Sequence, residues 1–448
     1  MGVHIMLNAK QAAEKHRQLI IDTLDYIWAN PETGYREVKT SAYLENVFEK
    51  LGYDIVKADN IPGFYTVIDT GREGPELLIM GELDSLICRE HPDADKETGA
   101  VHCCGHAAQC AALVGIAAAL KEPGALDALS GRIRLCTVPA EELLEIDFRK
   151  TLRDQGTIKY FGGKPEFLRR GYFDGVDLAF MVHTTINTTF GSNLGSVGCM
   201  AKKVIYKGRS SHAGGSPWNG INALYAANLG LSAINSIRET FKEADTIRVH
   251  PIITVGGGAV NAIPDKVVLE SFVRGMSFEA IAAANKKVNR ALIGGAVSLG
   301  ANIEIIDIPG YSPLKNDTNL LDVAAEAAKN LDYPFNLNQG YSSGSTDMAD
   351  LSQVMPVIHP YAPGAVGNSH GSNYFIENPD LACVGSAAWQ LEMINILLSN
   401  SAEVAKKVVA EYKAPFASNE EFFAYLDAIN DDGERIVYKD DGTAEVRL

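Results

Sequence analysis

The sequence predicts an α/β protein whose mostly parallel sheet is interrupted by a compact α+β insert. Three observations carry this reading. Short apolar runs alternate with helical stretches through the first half of the chain, as in a layer built on a parallel sheet. Near Gly195 the pattern changes to strand, helix, strand, strand, helix, strand, the order of a ferredoxin-like module. After Pro309-Gly310-Tyr311 long helices return around a short strand near Val357. At 448 residues two domains are the default. The expected division is residues 1–195 with 311–448 as one discontinuous domain, and 196–310 as the insert.

Each element follows from its local pattern. Ala12, Ala13, Leu19, Ile20, Leu24 and Ile27 fall at helical spacing over residues 8–30, and Asn30-Pro31-Glu32-Thr33-Gly34 stops that helix. A second helix is expected at 41–51, with strands at 54–58, 64–69 and 76–82. The Ala- and Leu-rich stretch 107–120 reads as a buried helix, and 132–138 as a strand. The insert is read as strands at 196–207, 246–255, 266–274 and 301–308, with helices at 216–240 and 278–299. Helices at 318–331 and 379–409 follow. The polar tail from about Asp431 reads as a hairpin or a loosely held end.

Composition excludes several classes. A net charge of -16 disfavours nucleic acid and anionic membrane surfaces, which need clustered Lys and Arg. No run reaches the roughly 18 apolar residues of a membrane span, so no membrane partner is expected. Residues 1–10 lack the apolar core of a signal peptide. Seven cysteines, an odd count without framework spacing, point to reduced thiols and a cytoplasmic location.

The chemistry-bearing residues sit at the ends of apolar runs. His102-Cys103-Cys104-Gly105-His106 packs two imidazoles and two thiols around a glycine that permits a tight turn. Asp84 ends one apolar run, and Glu141-Glu142 end another. Open α/β sheets place their sites at such strand ends. The mix of Cys, His and carboxylate suits zinc or manganese better than calcium or magnesium. The bland alternative is a loop with a buried cysteine and a surface histidine. Adjacent acids at a strand end point different ways, so one can bind metal while the other faces water as a base; paired acids are more often a solvated face. His183 ends the run 178–183 and reads as a ligand or as a hydrogen-bonded core residue. His370, in a glycine-flanked loop, is the best late candidate, with His359 its competitor. His212 lies in the insert, where it can polarise a substrate carbonyl or serve as a turn residue. Asn261 and Arg274 can together bind a carboxylate, since the guanidinium fork matches it. A surface ion pair is the plainer reading of Arg274.

The ordered set is Gly81-Glu82-Leu83-Asp84, the 102–106 stretch, Pro139-Ala140-Glu141-Glu142, Val182-His183, Ser211-His212-Ala213-Gly214, Asn261-Ala262-Ile263-Pro264-Asp265 and Arg274. It resembles the M20 family of metallopeptidases, and within it the amidohydrolase branch, subfamily D. The stretch 343–350 is most similar to the aminobenzoyl-glutamate hydrolase group. The resemblance covers nearly the whole chain. It implies a metallopeptidase catalytic domain over 1–195 and 311–448, with 196–310 as a lid and dimerisation domain. It implies two divalent metal ions, zinc or manganese, held by Cys104, His106, Glu142, His183 and His370. Glu141 matches the general base, and Asp84 an acid that supports the site. His212 matches a lid histidine that enters the partner subunit's site in a homodimer. Asn261 and Arg274 match positions that hold a substrate carboxylate. Two departures stand out. Ala107 replaces the Asp or Asn that many relatives carry, removing a polar group behind the ligands. Cys103 fills a position usually held by a small neutral residue and is exposed to oxidation chemistry.

The expected activity is metal-dependent hydrolysis of the amide bond in a small N-acyl or N-aroyl amino acid or a dipeptide. Two other readings stand beside it. One is a non-catalytic member that binds metal or ligand, against which Glu141 speaks, since binding alone needs no base. The other is a hydrolase with Cys103 or Cys104 as nucleophile.

Overall fold

The computed structural model describes residues 6–448; residues 1–5, part of the segment read for a leader, lie outside the described residues. The chain forms two compact units. The first holds the residues up to Gly195, Leu314–Ser342 and Thr346–Asn419; the second holds Ser196–Pro313, Ser343–Ser345 and Glu420–Leu448.

The first unit is built on a six-stranded sheet in the order Val56–Lys57, Phe64–Asp69, Arg132–Val138, Glu76–Glu82, Leu178–Phe180, Val357–Ile358. The last four strands run parallel, and the first two add an antiparallel edge. Glu76–Glu82 is buried along its whole length, as expected of a parallel strand covered on both faces. Its register pairs Glu82 with Val138 and Ile79 with Phe180. Residues that follow these strands, from Asp84 to Glu141 and His183, therefore leave the sheet at one common end. The helix His106–Leu120 is buried on every side. A helix apolar all round belongs in a core, and this one packs against Arg17–Trp28, Ser386–Leu398 and the Glu76–Glu82 strand.

Two expected helices are broken. Residues 8–30 form Ala9–Lys15 and Arg17–Trp28, because His16 leaves helical geometry at φ -100°, ψ 13°. Residues 379–409 form a π-helical turn at Asp380–Gly385, then Ser386–Leu398 and Glu403–Glu411, with positive φ at Asn400, Ser401 and Ala402 between them. Asp380–Leu398 is long and apolar enough to cross a membrane, but 83% of it is buried within the protein.

The second unit carries a five-stranded antiparallel sheet in the order Arg248–Val255, Lys266–Gly275, Gly198–Lys207, Asn302–Tyr311, Asp431–Glu434. The helices Ala223–Ile237 and Phe278–Ser298 pack on each other and on the sheet, giving the ferredoxin-like order. The helix expected over 216–240 starts later because Asn222 caps it, accepting from Leu224 and Tyr225 N–H. The division differs from the sequence expectation: the second unit runs on to Pro313 and takes in Ser343–Ser345, and its largest addition lies at the end of the chain. Residues 420–448 join this unit rather than the first, because Asp431–Glu434 pairs with Asn302–Tyr311 as a fifth strand. Beyond it, Ile436–Tyr438 and Ala444–Val446 form the hairpin that the polar tail allowed.

A buried charge pins this sheet to its helix. Lys202 and Asp307, both almost fully buried, form an ion pair; Asn285 and Asn289 donate to Asp307 at 2.7 and 2.8 Å. Breaking one partner of such a pair leaves an uncompensated charge. Asp307→Ala is expected to destabilise the fold by about 3–5 kcal/mol in urea titration, and Lys202→Met/Asp307→Leu to recover part of that loss. A near-neutral Asp307→Ala would show that the pair is not a structural tie.

Candidate metal centre

The common end of the first unit's sheet gathers the acids and imidazoles. Asp84, fully buried, is the joint. Its Oδ2 accepts from Glu142 N–H at 2.8 Å, while its carbonyl oxygen and Oδ1 lie 2.9 and 3.2 Å from His106 Nδ1. One residue thus fixes a histidine through its carbonyl oxygen and a glutamate through its carboxylate. Gly105 starts the His106 helix at φ 98°, where a Cβ would overlap Thr184 Oγ1 and Tyr374 OH. The stretch therefore needs glycine there. Ala140 and His370 also sit at positive φ, 58° and 65°. Non-glycine residues rarely hold that conformation unless their surroundings force it. Here Ala140 N–H donates to buried Glu37 Oε1 at 2.8 Å, and His370 N–H donates to Cys103 O at 2.9 Å.

Three groups of donor atoms result: Cys104, His106 and His183; Cys104, Glu142 and His370; and Glu82, His106 and Glu141, each with its atoms within 4.8 Å of one another. Cys104 belongs to the first two. Cys104 Sγ lies 3.4 Å from His183 Nε2, and His370 Nε2 lies 3.3 Å from Glu142 Oε1. Two ligands of one zinc ion, bound at about 2.0–2.3 Å, stand roughly 3–3.6 Å apart. The spacing therefore fits a divalent ion. So does the state of His106: with Nδ1 engaged by Asp84, buried Nε2 has no hydrogen bond among the described residues. That is how a metal-ligating histidine is held.

The electrostatics agree. Burial pushes the Cys104 thiol up, but His106 and His183 outweigh it and bring its pKa down to about 6. Burial, then the Cys88 and Cys104 side chains, raise Cys103 to about 12. Burial raises Glu141 well above the carboxylate range, with Glu82, Glu142 and Asp347 adding to it. Burial also opposes charge on Glu142, yet His370 and His106 hold it below the usual value.

Not every sequence candidate joins this cluster. His359 is buried behind it: Nδ1 lies 2.9 Å from Met181 O, its ring packs edge-on against His183, and burial takes its pKa down to about 3. It belongs to none of the three groups. His212, Asn261 and Arg274 lie in the second unit. His212 is exposed, and its Nδ1 accepts from Gly214 and Gly215 N–H at 3.1 and 2.8 Å. Asn261 is exposed in the next loop, and Arg274 Nη1 donates to Ser345 Oγ at 2.8 Å. Ala107 is buried in the helix core.

Three residues escaped the sequence reading. Glu82 is buried at the end of an apolar strand, Lys164 is buried between Glu82 and Asp347, and Arg149 is buried with its guanidinium bonded to the carbonyl oxygens of Glu142 and Phe161. For Glu82 the available signal was a charge at the end of an otherwise apolar run, which is costly to bury without a partner; Lys164 and Arg149, on helices, gave none. Next to Tyr361, whose ring packs edge-on against His183, lies an open polar cleft of about 790 Å³ lined by Thr185, Asn187, Asn193, Asn338 and Tyr361 among others.

A cluster of this kind defines a metal-dependent peptidase or amidohydrolase, and comparison with known proteins agrees. Residues 78–391 match the model of peptidase family M20/M25/M40, and the chain belongs to that family. It is 29% identical to mouse (Mus musculus) Xaa-Arg dipeptidase over 75% of this chain and 74% of that one. It is 28% identical to the N-acetylcysteine deacetylase of Bacillus subtilis (strain 168) over 73% and 83%. Its fold matches a dinuclear metal-binding M20 peptidase from Bacillus subtilis (TM-score 0.63, 22% identity, 86% of this chain and 99% of that one). It also matches an aminobenzoyl-glutamate utilization protein from Klebsiella pneumoniae (TM-score 0.63, 17% identity, 87% and 98%).

The thiol pKa values give a direct test. In metal-free protein, iodoacetamide is expected to label Cys104 with a rate that rises through about pH 6 and then levels, because only the thiolate reacts. Cys103 should stay inert below pH 9. Peptide mapping that finds Cys103 as the reactive thiol would contradict this electrostatic picture.

Proposed function

We propose that this chain hydrolyses the amide bond of a small N-acyl or N-aroyl amino acid or a dipeptide, using two divalent ions, zinc or manganese. The observation that carries the reading is Cys104, shared by two donor groups with ligand-like spacing. In this reading His106 and His183 complete one site with Cys104, and Glu142 and His370 complete the other. Bound there, the ions supply Lewis acidity that polarises the amide carbonyl and lowers the pKa of water. Glu141 takes a proton from the attacking water and returns it to the leaving amine. Its raised proton affinity suits a group that must accept a proton and then give it up. Asp84 keeps the His106 tautomer and the Glu142 backbone in place. The cleft next to Tyr361 is of the size that holds small ligands. The relatives' names, a dipeptidase and a deacetylase of an N-acyl amino acid, support the same substrate range. The absence of any disulfide among the described residues is compatible with a cytoplasmic location.

Glu141→Gln is expected to keep its metal and lose at least about a hundredfold in turnover. Cys104→Ser should lose both metal and activity, whereas Cys103→Ala should keep most of each. The rival Cys–His nucleophile draws support from the 3.4 Å contact between Cys104 and His183. It requires activity that survives chelation; the metal reading requires loss on chelation and recovery when zinc or manganese returns.

We further propose a homodimer through the second unit, with Asn261 and Arg274 binding the substrate carboxylate and His212 entering the partner subunit's site. What supports pairing is an open sheet edge at Arg248–Val255, where Ile252, Ile253 and Val255 are exposed; Tyr225 and Leu229 are exposed on the Ala223–Ile237 helix. Uncovered edges with apolar side chains invite a second strand, and two-fold pairing is the commonest closure. Mixing inactive Glu141→Gln with inactive His212→Ala under subunit exchange should restore activity, because one heterodimer site then holds both wild-type residues. Confirmed exchange without recovery would mean that His212 acts within its own chain or has no role.

A further inference from the structure

The polar cleft of the first unit is built onto the candidate metal centre. His183 opens the short strand His183–Thr185, and the parallel strand Tyr361–Pro363 sets Tyr361 opposite His183. Thr185 follows His183 by two residues. Side chains two apart on a strand share a face and stand about 7 Å from one another. Thr185 and Tyr361 both line the cleft. One wall of it is therefore continuous with a candidate ligand, and a group attached to a carbonyl at the centre has a short path into it.

The hydrogen-bonding capacity of the cleft leans towards donors. Thr185 Oγ1 accepts from Asn187 N–H at 3.1 Å, Asn338 Oδ1 from Gly340 N–H at 3.0 Å, and Asn193 Oδ1 from Gly195 N–H at 3.0 Å. The loops' own N–H groups thus take up acceptor oxygens and fix how these side chains point. The Thr185 hydroxyl proton and the Asn338 amide protons meet no acceptor among the described residues. Asn187 and Gln339 add exposed amides. Among the described residues no Lys, Arg, Asp or Glu lines the cleft. A charged group would find no counter-charge there. An apolar group would cover the Thr185 and Asn338 donors without pairing them, which costs free energy. A neutral oxygen acceptor satisfies both conditions.

We propose that this cleft selects the acyl half of the substrate, favouring one that ends in an uncharged hydrogen-bond acceptor such as a side-chain amide, and that Thr185 and Asn338 determine this specificity. This rests on the amidohydrolase reading above, in which Asn261 and Arg274 take the amino-acid carboxylate and leave the acyl half to the first unit.

The experiment compares kcat/KM, on enzyme loaded with zinc or manganese, for two matched series of alanine amides. One series is the dipeptides Gln-Ala, Glu-Ala, Met-Ala and Lys-Ala; the other carries the same four chain ends on N-acyl groups without the α-amine. Gln, Glu and Met are close in size, so charge and hydrogen bonding decide among them. In whichever series is cleaved, wild type is expected to prefer the amide end over the Met and Glu ends by at least about tenfold. Thr185→Val keeps the shape but removes the hydroxyl, and should lower the Gln-to-Met ratio by about threefold to tenfold. Asn338→Asp keeps an oxygen for Gly340 N–H and exchanges the amide donor for a carboxylate. It should raise the Lys end against the Gln end by at least about tenfold. Either variant decides the matter if the other does not fold. A wild type that cleaves the Met end as well as the Gln end, or variants in which all four rates fall in parallel, would overturn the cleft assignment and leave the amidohydrolase reading standing. Metal-dependent turnover in neither series would overturn both.

Discussion

The first unit is organised around the problem of keeping six carboxylates dry. Glu37, Glu82, Asp84, Glu141, Glu142 and Asp347 are all buried around one end of its sheet. Burial alone opposes every one of these charges. Lys164 neutralises two of them, and backbone N–H groups of Ala140 and Glu142 hold Glu37 and Asp84. The remainder is visible as strain on proton affinities: Glu37 and Glu141 are pushed well up, and Asp347 rises to about 6 even beside Lys164. A site so rich in negative charge, threaded with a low-pKa thiol and imidazoles, is most stable when further cations occupy it. The packing of the acids thus favours bound cations, before any reaction is considered.

Holding those groups apart demands a rigid backbone, and the unit supplies one at each loop. Arg149, almost fully buried, bonds the carbonyl oxygens of Glu142 and Phe161 and fastens the acid loop from behind. Ala140 and His370 are held at positive φ by bonds to Glu37 and Cys103. Strain of this kind persists only where surroundings over-determine it. It lets short loops from four strands aim side chains at one point, which a relaxed turn would not do.

The parts of the fold set by periodicity were legible in the sequence. The strands Phe64–Asp69, Glu76–Glu82 and Arg132–Val138 begin and end where the apolar runs do, and the insert has the expected strand and helix order. What was hidden depends on partners distant in the chain. The helix break at His16 has no Pro or Gly to mark it. The fifth strand of the second unit pairs residues more than a hundred positions apart, Glu304 with Glu434, and a polar tail gives no sign of that. At the candidate centre, motif residues with distinctive chemistry stood out. The role of His359 as backing for His183 did not, because a histidine at a strand end looks the same in either place. Glu82 and Lys164 were overlooked because each gains its meaning only from the other, 82 residues away.

That pairing bears on how the proposed base works. Glu141 feels Glu82 first among its charged neighbours, then Glu142 and Asp347, and each raises its affinity for a proton. Ions near His106 act in the opposite direction, stabilising the carboxylate. A base must ionise to accept a proton from water and must also hold that proton until the amine leaves. Surrounding Glu141 with fixed acids on one side and exchangeable cations on the other brings these demands together. The fixed part, Glu82 and Asp347 tied by Lys164, sets the level to which the carboxyl returns whenever the cations' influence weakens. That part sits in the unit's core, beyond the reach of solvent.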